Sequence, residues 1–331
     1  MSKDRVVSGM RPTGRLHLGH LVGALRNWTE LQDRYECFYF VADWHALTSE
    51  YADTRAIAPT ALDNVADWIA AGIDPERSTL FVQSLVPEHA ELFLLLSMVV
   101  PVPWLERVPT YKEQQELLRD RDLSTYGFLG YPLLQTADVV IYDARFVPVG
   151  EDQVAHLELS REVVRRFNNF FGQVFVEPQP ILSRVPRLPG LDGNRKMSKS
   201  LGNTIELSDD AETVRRKVMR MYTDPKRVRA DIPGTVEGNP VFTYHDAFNP
   251  NTAEVEELKA RYRAGRVGDV EVKERLAAAL NALLEPMRRR RAELLARPGD
   301  LREVLVEGSR RARAIASETM ARVRAAVGLR Y

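Results

Sequence analysis

The sequence predicts an α/β protein, a Rossmann-like doubly wound parallel sheet followed by a C-terminal α-helical bundle. Through the first two thirds of the chain, short runs rich in Val, Phe and Tyr alternate with longer amphipathic stretches, the rhythm of βαβ units. From about Glu206 onward, apolar residues recur at three- and four-residue spacing, the pattern of packed helices. A length of 331 residues leaves room for one large or two medium domains with real cores. The change of pattern sets the expected boundaries: residues 1–205 for the sheet domain and 206–331 for the helical one.

In chain order, "RVVSG" opens the sheet and "SGMRPTG" turns out of it, before "LGHLVGALRNWTELQDRY" forms a helix. "CFYFVAD" is the second strand, "TALDNVADWIAAGI" the following helix and "TLFVQS" the third strand. Ligands of such sheets bind beyond the carboxyl ends of the strands, which directs attention to Ser8–Gly14 and to Ala42–His45. Downstream, "DDAETVRRKVMRMY", "VEELKARYRAG", "EVKERLAAALNALLEPMRRRRAELLA" and "LREVLVEGSRRARAIASETMARVRAAVGL" read as helices. Asp209 to Glu212 fits a helix start, Pro286 should bend or interrupt its helix, and "RPGD" at 297–300 fits a turn. The arginines from Arg288 to Arg291 read as a solvated helix face, with phosphate contact as the alternative.

Composition excludes several classes. The 46 Lys and Arg balance 46 Asp and Glu, so no long-range attraction to a polyanion is implied, and a nucleic acid would be gripped by local patches. Cys37 is the single cysteine and by itself forms neither an intramolecular disulfide nor a cysteine-based metal site. The start "MSKDRVVSGM" lacks a long apolar stretch, and the greasiest segment, residues 90–104, carries Glu91 and two prolines. Cytoplasmic residence is the expectation, in keeping with a lone thiol.

Two stretches have the chemistry of anion binding. In the first, a Gly/Pro-rich turn leads into a helix whose opening residues are His17, Gly19 and His20. Unpaired N–H groups at a helix start stabilise a phosphate, and imidazoles spaced by three add ring N–H donors on one side. Gly19 would let a flat base or ribose lie against the backbone. The bland alternative is that the two histidines merely cap and pack. The second stretch is "RKMSKSLGN", residues 195–203, flanked by Gly190, Gly193 and Gly202 as hinges. In a tight loop Lys196 and Lys199 project toward one ligand, with Ser198 and Ser200 adding donors. Lysines that engage fully as charge moves onto a departing pyrophosphate lower the barrier rather than only binding the nucleotide.

"HLGH" and "KMSKS", in that order, resemble the paired signatures of class I aminoacyl-tRNA synthetases. "SGMRPTGRLHLGHLVGALRNW", "VADWHALT", "GIDPERSTLFVQS", "YPLLQTADVVIY" and "VPVGEDQVAHLELSREVVRRFN" extend the resemblance to the tryptophanyl-tRNA synthetase family over nearly the whole chain. The resemblance implies ATP with Mg²⁺ for activation of L-tryptophan, transfer to tRNA(Trp), a homodimer and anticodon reading by the helical domain; no membrane association is expected, because residues 90–104 are too short to span a bilayer. Position by position it implies an ATP site of Arg11, Pro12, Thr13, Gly19, His20, Gly150, Glu151, Asp152, Leu188, Lys196, Met197, Ser198, Lys199 and Ser200. Asp138 would accept the indole N–H, and Tyr131 and Gln153 would hold the amino group.

Physical reading of the amino acid pocket adds reasons and alternatives. An ionised Asp138 in an apolar stretch is costly unless partnered, by an arginine, by a helix start or by the donor-only indole N–H. A site built on the indole rejects phenylalanine, which would strand the carboxylate. Val7, Val139, Val147 and Val149 are expected as flat walls. Gln135 stands where related tyrosine enzymes carry glutamine, which keeps a tyrosine–tRNA ligase as the alternative. Val7, where those enzymes carry tyrosine, leaves width for an indole.

The "LSRVPRLPGLDG" and "DWHAL" segments look most like a branch of which some members bind an iron–sulfur cluster. Asn239, Asp269 and Val272 appear where thiolates would be needed, so no iron–sulfur cluster is expected. For the reaction, the tryptophan carboxylate is already a nucleophile and needs no general base. Alignment and charge stabilisation by His17, His20, Lys196 and Lys199 with Mg²⁺ would carry catalysis. No dense carboxylate cluster exists to hold the ion, so phosphates and water would supply most of its ligands. A non-aminoacylating nucleotide-binding paralogue would be expected to lose one of those histidines or lysines, and all are present.

Overall fold

The computed structural model describes residues 3–108, 122–150, 153–182, 188–193, 197 and 201–331. Its strands are β1 (Arg5–Met10), β2 (Glu36–Val41), β3 (Ser78–Val82), β4 (Phe146–Val149) and β5 (Gln179–Leu182). The helices in the first half are α1 (Leu18–His20), running through a π-turn (Leu21–Leu25) into α2 (Arg26–Leu31), then α3 (Asp43–Glu50), α4 (Ile57–Ala70), α5 (Glu88–Ser97) and α6 (Val102–Glu106). They are followed by α7 (Tyr126–Val140), α8 (Val154–Phe171), α9 (Ala211–Met219), α10 (Pro240–Phe248), α11 (Thr252–Arg263), α12 (Asp269–Leu295) and α13 (Pro298–Ala326). By packing, the chain forms two compact units, one of residues 1–14, 27–184 and 294–331 and the other of 15–26 and 185–293.

The first unit contains the sheet, parallel throughout, in the order β3-β2-β1-β4-β5. β1 pairs with β2 from Arg5 opposite Glu36 to Met10 opposite Val41, and the strand order reverses between β1 and β4, the switch point at which such sheets bind ligands. "CFYFV" is buried at every position, as an interior parallel strand must be when both its faces are covered. Val7, Phe38, Phe40, Phe81 and Tyr142 share one apolar cluster with side chains of α5, α7 and α8. Tyr142 stacks on Phe38 at 5.1 Å, and on the other strand residues Trp28 stacks on Tyr39 at 4.4 Å.

β3 is an edge strand, and α13 covers it. Leu301, Leu305, Gly308, Ala312, Ala316 and Met320 are buried along one face of that helix. At Gly308 the helix backbone lies so close that a Cβ would stand 1.8 Å from the Leu80 carbonyl oxygen, which makes glycine the residue that permits the contact. An open strand edge thus receives a partner. Residues 294–331 therefore cluster with the sheet, and the compact units cut across the boundary that the change of sequence pattern set at residue 205.

In the second unit, Asp210 caps α9 by accepting from the Thr213 N–H at 2.6 Å, inside the span expected for a helix start. α12 is continuous from Asp269 to Leu295 with Pro286 inside it, so of the bend or interruption expected there, the interruption does not occur. An interior proline costs about 3 kcal/mol, which the rest of a 27-residue helix carries, and the Arg288 guanidinium braces the same stretch by donating to the Asn281 side chain at 3.1 Å and to the Asp209 carbonyl at 3.0 Å. The arginine run is accordingly mixed: Arg288 is a brace, whereas Arg290 makes a surface pair with Glu293 at 3.1 Å. At "RPGD" the turn is short, since Pro298 already occupies the first turn of α13, where its missing N–H costs nothing.

Candidate active site

Asp138 sits in α7, almost fully buried at 1 % exposure, and among the described residues it neither pairs with an arginine nor caps a helix. Three N–H donors from three other elements converge on it. Gln83 Nε2, just past β3, and His89 Nδ1, in α5, each donate to Oδ1 at 2.7 Å. His45 Nε2, just past β2, donates to Oδ2 at 2.7 Å. Each donor is itself held. The Gln83 carbonyl accepts from the Trp44 N–H at 3.2 Å, which fixes the amide's orientation. The Tyr142 hydroxyl lies 2.6 Å from His89 Nε2 and holds the ring with Nδ1 toward Asp138.

Behind these, Asp43 ties the ends of β2 and β3 together by accepting from the backbone N–H groups of Trp44 at 3.0 Å and Ser84 at 3.1 Å. Burial pushes the Asp43 carboxyl above its ordinary value against those hydrogen bonds. Burial also works to raise Asp138, but the imidazoles of His45 and His89 outweigh it and bring the carboxyl down to about 2. Asp138 is therefore ionised. A carboxylate accepts about four hydrogen bonds, so with three donors among the described residues one position remains, on Oδ2.

Tyr131, Gln135 and Asp138 recur at four and three residues on α7 and share a face of that helix. The Tyr131 ring lies edge-on to His45 at 6.4 Å, and its hydroxyl is 3.4 Å from His156 Nε2. Gln153 immediately precedes α8, one turn before His156. Val7, Val139, Val147 and Val149 are buried in the same apolar cluster, so the four expected wall residues are brought together. His45, Gln83, His89 and Tyr142 were not among the residues expected to serve the pocket. Strand-end position was a signal for His45 and Gln83; His89 carries none, because on α5 it reads as one more buried helix residue.

The second unit holds the two signature motifs. His17 Nδ1 accepts from the Gly19 N–H at 3.1 Å, and the His17 N–H donates to His20 Nδ1 at 3.1 Å, a reciprocal capping box. The rings lie 3.9 Å apart. A ring nitrogen that accepts carries no proton, so both neutral imidazoles have theirs on Nε2.

Capping and donor chemistry thus coexist, but the expectation of unpaired N–H groups at this helix start is corrected. The Leu18 N–H donates to the Ile205 carbonyl at 3.0 Å, that of Gly19 to His17, and that of His20 to the His17 carbonyl at 2.8 Å. The physical reason is that residues 205–207 run back along the turn, with Leu207 N–H on the Leu16 carbonyl at 2.9 Å and a bridge between His17 and Glu206. Any phosphate recognition falls to the side chains.

On its Cβ side Gly19 is closely packed. A Cβ there would meet the His17 ring at 2.9 Å and the Met197 sulfur at 3.1 Å. Met197, buried at 7 % exposure, therefore packs on the "HLGH" turn. Gly193 and Gly202 on either side of that loop adopt φ of +86° and +63°, and a Cβ on Gly190 would overlap Asn203. Lys196, Ser198, Lys199 and Ser200 lie outside the described residues, as do Glu151 and Asp152. Of the other residues expected at ATP, Leu188 and Pro12 are buried, Arg11 is exposed, Thr13 N–H donates to the Arg11 carbonyl at 2.9 Å, and the Gly150 carbonyl accepts from Gln153 N–H at 2.9 Å.

The positions that would need thiolates are otherwise employed. Asn239 caps α10 by accepting from Val241 N–H at 3.0 Å, Val272 is buried, and Asp269 accepts from the Tyr262 hydroxyl at 2.8 Å and pairs with Arg227 at 3.1 Å. The Arg227 guanidinium lies 3.9 Å over the Tyr262 ring. Among the described residues no group of three or more His, Cys, Asp or Glu is arranged to hold a metal ion, and no helix is long and apolar enough to cross a membrane.

A parallel sheet in this order, with "HLGH" following its first strand and the methionine of "KMSKS" packed on that turn, defines the class: a class I tRNA synthetase. The model of the family described as tRNA synthetases class I (W and Y) matches residues 2–285, and the chain belongs to that family. Among its relatives, the tryptophan--tRNA ligase of Treponema pallidum (strain Nichols) is 54% identical over 327 residues, which cover 98% of this chain and 97% of the relative. That of Thermotoga maritima is 51% identical over 99% of this chain and 100% of its own. Tryptophanyl-tRNA synthetase from Campylobacter jejuni, in a crystal structure complexed with ADP and tryptophan, superposes with a TM-score of 0.88 at 33% identity, covering 98% of this chain and 100% of that one.

Proposed function

We propose that this chain is a tryptophan--tRNA ligase, which activates L-tryptophan with ATP to the adenylate and transfers it to tRNA(Trp). The observation that carries the reading is the buried Asp138 carboxylate, charged, held by three N–H donors and retaining one acceptor position. An indole N–H is donor-only and fills that position, whereas phenylalanine leaves it empty. The sequence relatives and the Campylobacter jejuni complex support the same substrate. Gln135, on the helix face of Tyr131 and Asp138, is the one residue that favours tyrosine, whose hydroxyl is also a donor.

In the proposed first step the tryptophan carboxylate attacks the α-phosphorus of ATP in line, forming the adenylate and releasing pyrophosphate. Tyr131 and Gln153 hold the amino group, with Gln135 beside them, while Val7, Val139, Val147 and Val149 wall the ring. His17 and His20 direct Nε2–H donors, and Lys196 and Lys199 direct ammonium groups, at phosphate oxygens whose charge grows in the transition state. Arg11, Pro12, Thr13, Gly150, Glu151, Asp152, Leu188, Met197, Ser198 and Ser200 complete the ATP site. Gly19 lines it as well, while also admitting Met197 on its Cβ side. Mg²⁺ would come with the nucleotide, with phosphates and water supplying most of its ligands. With one cysteine in the chain, no iron–sulfur cluster forms.

Residues 206–331 are assigned to tRNA, a functional division distinct from the compact units. The enzyme works in the cytoplasm as a homodimer. In support of the dimer, Leu94, Met98, Val102 and Tyr126 expose apolar side chains, with Leu94 and Met98 one turn apart. Amino-acid-dependent exchange of pyrophosphate into ATP tests the proposal, run with tryptophan, with tyrosine and with neither. Exchange with tryptophan alone is expected. Exchange with tyrosine alone overturns the substrate assignment, and none with either reduces the chain to a nucleotide-binding paralogue.

A further inference from the structure

Both donors on Asp138 Oδ1 have a neighbour in sequence that is bound to α13. Beside Gln83, the Val82 N–H donates to Ser309 Oγ at 3.2 Å, and the same hydroxyl donates to the Leu305 carbonyl at 2.7 Å, so its hydrogen bonds are directional in both senses. Beside His89, Glu88 Oε1 accepts from Arg313 Nε at 2.8 Å and from Ser317 Oγ at 3.1 Å. Ser309, Arg313 and Ser317 are spaced by four, on one face of a single rigid helix. Glu88 is buried, and among the described residues its Oε2 has no hydrogen-bond partner, so the two α13 donors are the side-chain hydrogen bonds that hold the carboxylate. One helix thereby sets the separation of the end of β3 from the start of α5. That separation decides whether an amide and an imidazole can reach the same oxygen.

We infer that α13 is a positioning element of the tryptophan pocket: Ser309 and Arg313, acting through Val82 and Glu88, keep Gln83 and His89 on Asp138 Oδ1 and so reserve Oδ2 for the indole N–H. The inference rests on the reading of Asp138 as the indole acceptor. Loosening either tie lets a donor drift, and the carboxylate turns to follow it. Tryptophan binding then weakens through the pocket alone, with the nucleotide site unaffected.

The test is steady-state pyrophosphate exchange on the full chain with Ser309→Ala, Arg313→Met, Arg313→Lys and, as reference, Asp138→Asn. KM for tryptophan is expected to rise about threefold to tenfold in Ser309→Ala and Arg313→Met, while KM for ATP stays within about twofold. Preference for tryptophan over 1-methyltryptophan, which has no N–H to donate, should fall in parallel. Arg313→Lys should recover most of the loss. The Arg313 side chain is 55% exposed, so its replacement leaves a folded protein to assay. Unchanged KM for tryptophan in both variants, or an equal rise for tryptophan and ATP, overturns the inference if Asp138→Asn still impairs tryptophan use. If Asp138→Asn is itself without effect on KM and preference, the Asp138 reading has failed instead.

Discussion

Replacing Asp138 by asparagine changes one atom and one charge, and the surrounding donors dictate the consequence. Oδ1 receives Gln83 and His89, so the new amide must turn its oxygen to that side and its NH₂ toward His45. His45 can answer by accepting with Nε2 in its other tautomer. The second amide N–H then occupies the position of the incoming indole N–H, donor against donor. The variant loses a hydrogen bond to a charged acceptor, worth about 1.5–3 kcal/mol, and leaves a buried donor unmet at about 1–3 kcal/mol. A net loss of about 3 kcal/mol is roughly a hundredfold in kcat/KM for tryptophan.

The assay is pyrophosphate exchange with tryptophan and with its benzothiophene isostere, which has sulfur in place of the N–H. The native chain should prefer tryptophan by about tenfold to a hundredfold, and the asparagine variant should have no such preference. Undiminished kcat/KM and preference in the variant would refute the reasoning. The same carboxyl predicts a pH response. Its folded value, about 2, lies below the ordinary 3.8, so its stabilisation is complete above about pH 4 and is lost as pH falls toward 2. The interval corresponds to about 2 kcal/mol, absent in the variant, and acid titration of urea stability measures it.

Three other outcomes follow from the geometry. Asparagine at His17 retains an N-cap acceptor but not the imidazole's reach, so His17→Asn should keep thermal stability while kcat falls about a hundredfold; His17→Ala should lose a further 1 kcal/mol or so of stability. Equal stability in the two would mean that the capping contact to Gly19 is inert. Arg227→Met removes a guanidinium that donates to the carbonyls of Ile232, Ala230 and Val267 at 2.7–2.9 Å, and should cost about 3 kcal/mol in urea denaturation. Stability within about 1 kcal/mol of native would contradict that. Burial pushes the Cys37 thiol up to about 11, so iodoacetamide at pH 8 should label it only after denaturation, as read by mass. Labelling of the native chain at the rate of a free thiol would count against the packing of β2.

Much of this was legible in the sequence because it is local. "CFYFV" is apolar without interruption and folds as an interior strand, and the imidazoles of "HLGH" sit where a helix begins. What was not legible depends on pieces far apart in the chain. Asp138 could be seen to need a partner, but its partners come from residues 45, 83 and 89, brought together only by the sheet. Strand-end position pointed to Ala42–His45 without saying which atom the ring would meet. The N–H groups of the "HLGH" turn looked available, yet His17 takes those of Gly19 and His20 locally, and Ile205, nearly two hundred residues later, takes that of Leu18. The last helix read as part of a separate bundle, because an amphipathic stripe does not say what covers it; Gly308 and Ser309 prove to be its contact with β3.

The most direct measurement is a crystal structure of the chain with bound L-tryptophan. The indole nitrogen should lie within hydrogen-bond distance of Asp138 Oδ2, with Gln83 and His89 still on Oδ1 and His45 beside it. An indole nitrogen turned away from Asp138, or an Asp138 that has exchanged its internal donors for the ligand, would contradict the account.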